Sequence, residues 1–110
     1  MDVPEVDPIE AIRLLNESGA VMLDVREDDE WSAGHAPGAI HVPLSVLDAR
    51  SFDTTVPVVA VCRSGKRSSL SANQLAAAGV TVYNLAGGMK AWLESGHPVI
   101  SDDFEPAIII

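Results

Sequence analysis

Short, nearly continuous apolar runs that alternate with helix-patterned stretches constrain this chain more than any other feature. Val21-Met22-Leu23-Asp24-Val25 and Val58-Val59-Ala60-Val61 carry almost no polar residues, and Ala39–Val42 and Thr81–Leu85 are runs of similar length. A strand with one wet face shows alternating polarity. A run that is apolar throughout suits a strand covered on both faces, as in a parallel sheet. Val3–Val6 reads as a further short strand, interrupted by Pro4. Between the runs lie helix signals. Asp7-Pro8-Ile9-Glu10 opens a helix, with Asp7 placed to accept from free amides, Pro8 in the first turn and Glu10 at capping-box spacing. Ile9, Ile12, Leu14 and Leu15 give it an apolar face, and Gly19 ends it. Arg26–Ser32 reads as a short helix or turn around Trp31, Gly34–Gly38 as a loop, and Leu44–Ala49 as a helix or turn with Leu44 and Leu47 inward. Ser69–Ala78 is rich in helix formers and closed by Gly79. Gly87-Gly88 turns the chain into a helix over Met89–Glu94, with Met89, Trp92 and Leu93 on one side. The alternation implies an α/β fold, a parallel sheet with helices on both faces and right-handed crossovers.

With 110 residues the chain is expected to form a single domain over 1–110, with its core at about 5–98 and a C-terminal tail over 99–110. That length buries a modest core. The formal net charge is -9, from 16 acidic and 7 basic side chains, which argues against nucleic acid and anionic membrane surfaces as partners. One cysteine forms no internal disulfide, and no apolar run approaches the ~20 residues that span a bilayer. Met1 to Glu5 lack the basic start of a signal peptide. A cytoplasmic location is expected.

Cys62-Arg63-Ser64-Gly65-Lys66-Arg67-Ser68 breaks this acidic pattern. It follows the run Pro57–Val61, so it sits at the carboxyl end of a strand, where ligands bind in such sheets. Asp24 to Arg26 fall at the same edge. A helix starting near Ser68 leaves amides without partners, and a loop containing Gly65 can turn further amides inward as an anion cradle. Arg63, Lys66 and Arg67 add charge. Comparable settings lower a cysteine pKa from about 8.5 to roughly 3.5–7.5, and the thiolate is the nucleophile. A cysteine after an apolar strand is usually just a small buried residue. The sole cysteine, a strand end, clustered cations and a helix start together point instead to a nucleophilic thiolate that accepts a group from an anionic donor.

Four stretches, taken together, resemble the rhodanese-like domain family in its single-domain sulfurtransferase form. They are Leu23–Glu27, Gly34–Pro43, Cys62–Ser68, and Asn84–Met89 with Trp92. The resemblance implies a five-stranded parallel sheet flanked by helices. It implies that Cys62 takes a sulfane sulfur from thiosulfate or another persulfide-type donor and passes it to a thiophilic acceptor, a small or protein thiol. Arg63, Ser64, Gly65, Lys66, Arg67 and Ser68 would bind the donor, and Asp24 and Arg26 would support the loop. No metal or organic cofactor is implied, and the chain is expected as a monomer or weak dimer.

Loop length bears on the alternative of a small cysteine phosphatase or arsenate reductase. In those enzymes the arginine comes one position later, which opens the cradle for an oxyanion. Here Arg67 is five positions after Cys62 and position 68 is serine. A noncatalytic binding module is the other alternative, and retention of Cys62 counts against it. His35 and His41 read as structural, Trp31 and Trp92 as packing, and Asp28, Asp29 and Glu30 as a solvated face. The Phe104–Ile110 tail is unusually apolar and is expected to pack back on the domain.

Overall fold

The apolar runs become the strands of one sheet: β1 (Glu5–Val6), β2 (Val21–Asp24), β3 (Ile40–His41), β4 (Val58–Val61) and β5 (Val82–Leu85). Their order is β1-β5-β4-β2-β3, and every neighbouring pair is parallel. This computed structural model describes residues 3–102 and 106–110; of the residues singled out above, Met1, Asp2, Phe104 and Glu105 lie outside them. The two edge strands have two residues each, shorter than their apolar runs.

Alternation of side chains across the sheet sorts the core. Val59 and Val61 of β4 join Met22, Leu85, Met89 and Trp92 on one face. Val58, Ala60 and Cys62 join Leu23, Val25, Ala72 and Leu75 on the other. Because β4 is central, both faces are covered, which is why its run is apolar at every position.

The helices are α1 (Pro8–Glu17), α2 (Asp28–Ala33), α3 (Lys66–Ala77) and α4 (Gly88–Glu94). Asp7 caps α1, its Oδ1 accepting from Glu10 N at 2.8 Å. Ile9 is not part of the inward face of α1; it is 76% exposed. It precedes the fully buried Ala11 by two residues, about half a helical turn, so it points the other way. Ile12, Leu14 and Leu15 do pack inward. In α4 Met89 and Trp92 are buried but Leu93 is exposed. Two short 3-10 turns, Leu44–Val46 and Ala49–Ser51, occupy the stretch read as a helix or turn, and Leu44 and Leu47 pack on the α3-side core.

α3 begins three positions before the expected Ser69. Gly65 adopts φ 107°, a left-handed conformation that suits glycine, and it caps the helix. Lys66, Arg67 and Ser68 therefore lie in the first helical turn and not in the loop.

The tail packs back on the domain along α2. His35 and Ile100 form an antiparallel bridge, with amide-to-carbonyl distances of 2.9 and 2.8 Å. Ile108 N donates to Ala33 O at 2.9 Å, and Ile109 packs on the core. Among the described residues no helix is long and apolar enough to cross a membrane.

Candidate active site

β4 delivers Cys62 to the middle of the carboxyl edge of the sheet, on the face covered by α3. Two backbone bonds fix the chain there. Met89 N donates to Cys62 O at 2.8 Å and Lys90 N donates to Arg63 O at 3.1 Å, so the first turn of α4 holds the root of the loop. This approach requires Gly88. A Cβ at that position would stand 2.3 Å from Cys62 O.

The sulfur lies at the floor of the loop, and Cys62 is buried. Gly65 N donates to its Sγ at 3.1 Å, and Ser68 Oγ lies 3.4 Å away. Burial pushes the thiol pKa up. Hydrogen bonds from the Ser68 hydroxyl and from the amides of Ser68, Gly65 and Ser64 outweigh it, and the net shift is downward. The helix-end and loop amides expected from the sequence thus act on the sulfur, and the Ser68 hydroxyl joins them.

The cations are largely committed elsewhere. Arg67 donates from Nη1 to Glu30 Oε1 at 2.6 Å and from Nη2 to Glu30 Oε2 at 2.8 Å. These bonds from Arg67 hold the Glu30 carboxyl below its ordinary pKa despite partial burial. Glu30, read from the sequence as part of a solvated face, is instead 13% exposed at its side chain, because this pairing folds it against the loop. Asp28 and Asp29 are exposed as expected. Arg63 donates from Nε to the backbone oxygen of Ile110 at 3.0 Å. Arg63, Ser64 and Lys66 are exposed at the rim.

Asp24 and Arg26 stand behind this arrangement as a pair with fully buried side chains. Arg26 Nε donates to Asp24 Oδ1 at 2.9 Å and Nη2 to Oδ2 at 2.7 Å. Arg26 Nη2 also donates to Gly34 O at 2.7 Å, and Nη1 to Glu30 O at 3.3 Å. The pair ties the end of β2 to the middle of α2 and to its C-cap, and α2 carries Glu30 to Arg67.

Asn84 of β5 was not singled out from the sequence, and it is central. Its Oδ1 lies 2.6 Å from Ser68 Oγ, and its Nδ2 donates to Gly65 O at 3.1 Å. The signal was present: a polar amide within the Thr81–Leu85 run, at a position that is 2% exposed, must find partners. Ser68, expected to bind the donor, is fully buried beneath the loop.

His35 and His41 both stack on Trp31, at centroid distances of 3.6 and 4.7 Å, and donate to the carbonyls of Trp31 and Arg26. This fits their structural reading. Among the described residues, no group of three or more His, Cys, Asp or Glu side chains is placed to hold a metal ion. An apolar groove lined by Ile12, Leu15, Met22, Ala36 and Trp92 opens at the start of β2, the end of the sheet away from Cys62.

Comparison with known proteins gives a consistent picture. A family model described as the rhodanese-like domain matches residues 7–95. A protein named thiosulfate sulfurtransferase GlpE, from Pseudomonas fluorescens (strain SBW25), is 38% identical over 88 residues, covering 77% of this chain and 81% of that protein. The uncharacterized protein YqhL of Bacillus subtilis (strain 168) is 42% identical over 76 residues, covering 66% of this chain and 60% of that one. The solution structure of a rhodanese-like domain from an Anabaena protein superposes with a TM-score of 0.81 at 28% identity, covering 98% of this chain and 87% of that one.

Proposed function

The chain belongs to the rhodanese-like domain family, and from that premise we propose that it is a sulfurtransferase working through a persulfide on Cys62. One observation carries the reading: the Cys62 sulfur faces the Gly65 amide and the Ser68 hydroxyl at the floor of a loop that Gly65 closes into the first turn of α3. A lowered thiol pKa favours the nucleophilic form. Burial of the sulfur restricts access to small groups.

In the proposed cycle the Cys62 thiolate attacks the outer sulfur of thiosulfate or of another persulfide-type donor. A sulfur–sulfur bond forms to Cys62. With thiosulfate, the bond to the sulfonate breaks and its electron pair leaves on sulfite. An acceptor thiolate then attacks the outer sulfur, the bond to Cys62 breaks, and the electron pair returns to Cys62 as thiolate. Arg63 and Lys66 at the rim would draw in the anionic donor, and the amides of Ser64 and Gly65 would hold it. Arg67 would act mainly through the loop, since Glu30 already occupies its guanidinium. Ser68 would serve the sulfur from below. Asp24 and Arg26 would support the loop through α2. The reading needs no metal or organic cofactor. It places the protein in the cytoplasm, as a monomer or weak dimer with a small or protein thiol as acceptor and with no nucleic-acid or membrane partner.

Incubation with thiosulfate tests it. Intact-mass analysis is expected to show one added sulfur on Cys62, and cyanide is expected to release it as thiocyanate. Protein that gains no sulfur from thiosulfate or from any persulfide donor overturns the reading. Phosphomonoester turnover that Cys62→Ser abolishes would replace it with phosphatase chemistry.

A further inference from the structure

The Ser68 hydroxyl has one proton and three acceptors. Asn84 Oδ1 is 2.6 Å away, Gly65 O is 3.3 Å away and Cys62 Sγ is 3.4 Å away. The orientation of the Asn84 amide is set by chemistry. The group at 3.1 Å from Gly65 O and 3.4 Å from Glu5 Oε1 faces two acceptors, so it is the NH2. The other end is then a carbonyl oxygen, which only accepts. The Ser68 proton therefore points at Asn84 in this structure, and Ser68 turns a lone pair toward the sulfur. That arrangement suits a neutral sulfur: a thiol donates to the lone pair, and the inner sulfur of a persulfide demands little. It does not suit a thiolate, against which a lone pair is repulsive.

We propose that Asn84 is a positioning residue that holds the Ser68 proton while the Cys62 sulfur is neutral and yields it when that sulfur carries charge. The movement is a rotation of one hydroxyl, within a buried cluster. Charging the sulfur takes a hydrogen bond from Asn84, and neutralising it gives the bond back. Asn84 thereby opposes the amides that favour the thiolate. The charged groups around the cluster are Arg63 and Lys66 at the rim, Arg67 in its pair with Glu30, and Glu5 of β1 against the Asn84 NH2.

Resting on the sulfurtransferase reading, the same competition shapes the sulfur cycle. Loading neutralises Sγ and returns the proton to Asn84. Discharge makes Cys62 the leaving group, and the proton swings back as the electron pair arrives on Sγ. Removing the competing acceptor leaves Cys62 a weaker nucleophile and a better leaving group.

Alkylation of Cys62 by iodoacetamide across pH tests the proposal without any sulfur donor. Asn84→Leu keeps the approximate shape and removes the acceptor. Its titration midpoint is expected about one pH unit below that of the wild type, the worth of one hydrogen bond to a charged group, with alkylation roughly threefold faster at pH well under the midpoint because the more abundant thiolate is also less nucleophilic. Asn84→Asp is expected to raise the midpoint. Both are repeated with Ser68→Ala, where the effect of Asn84→Leu should vanish and that of Asn84→Asp should shrink to its bare charge. A midpoint unchanged or raised in Asn84→Leu overturns the proposal, as does an equal shift in the Ser68→Ala background. If the leucine variants do not fold, the two aspartate variants decide: equal shifts with and without Ser68 overturn it. In single-turnover assays at pH above both midpoints, Asn84→Leu is expected to load sulfur more slowly and discharge it faster. Failure of the wild type and of every variant to load sulfur, with the alkylation shifts as expected, removes the sulfurtransferase reading and supports the proton competition.

Discussion

Glu30 grips Arg67 with both carboxylate oxygens, at 2.6 and 2.8 Å, across a gap of 37 positions in sequence. The same Oε1 accepts from the Glu27 amide at 3.1 Å, so the carboxylate is held by its own helix before it reaches the loop. The first turn of α3 is therefore fastened to α2, and the arginine that follows the loop is part of its frame.

Removing that fastening should loosen the loop. Glu30→Gln is expected to cost about 1 kcal/mol, discounted because Arg67 is 36% exposed. The sign with pH follows from the depressed pKa of Glu30. Its contribution is full above the ordinary glutamate pKa of ~4.3 and is lost as pH falls through the lower folded value. Denaturant melts of both proteins between neutral and acid pH should converge at the acid end. A difference that stays constant contradicts the assignment.

Asp24 and Arg26 should matter far more to stability. Both side chains are fully buried, and each is the other's charge partner. Asp24→Ala leaves a buried guanidinium without its counter-ion and is expected to cost about 3–5 kcal/mol by denaturant melt. Arg26→Ala also frees the Glu30 and Gly34 carbonyls, so α2 should lose its anchor with it.

The fold was legible because its signals are local. Continuous apolarity of Val58–Val61 reports a strand covered twice, and Asp7-Pro8 reports a helix start; both need only neighbours in sequence. The place of Cys62 at the carboxyl edge of the sheet was legible for the same reason, since the strand and the residues after it are one stretch. The partners of Glu30 and Asn84 were not. Glu30 sits among Asp28 and Asp29, and nothing local separates the acid that meets Arg67 from those that meet water. Asn84 depends on β5 lying beside β4, which brings it under the loop at Ser68. The early start of α3 hinged on one backbone angle at Gly65.

Gly88 should tolerate no side chain. Gly88→Ala places a methyl 2.3 Å from Cys62 O and 2.6 Å from Arg63 O, on a backbone at φ 59°. Backbone strain of this kind costs on the order of 1–3 kcal/mol before the clash is counted. Thermal melts should show the loss. Relief by retreat of α4 would break the Met89 and Lys90 amide bonds to the loop, so Cys62 alkylation should lose its wild-type pH profile as well.

The Cys62 thiol should titrate below the ordinary cysteine range, and that shift should be visible in stability. Burial works against the thiolate, and the Ser68 hydroxyl with three amides overcomes it. A thiol whose folded pKa is depressed stabilises the fold fully above the unfolded pKa of ~8.5, and the contribution disappears as pH falls through the folded value. Wild type and Cys62→Ala compared by denaturant melt should therefore diverge in favour of the wild type as pH rises through that window. Arg67→Ala should move the alkylation midpoint less than Ser68→Ala does. The reason is that the Ser68 hydroxyl lies against the sulfur and can turn its proton to the thiolate, whereas Arg67 carries its own counter-ion. A larger shift in Arg67→Ala would return the cations to the leading role.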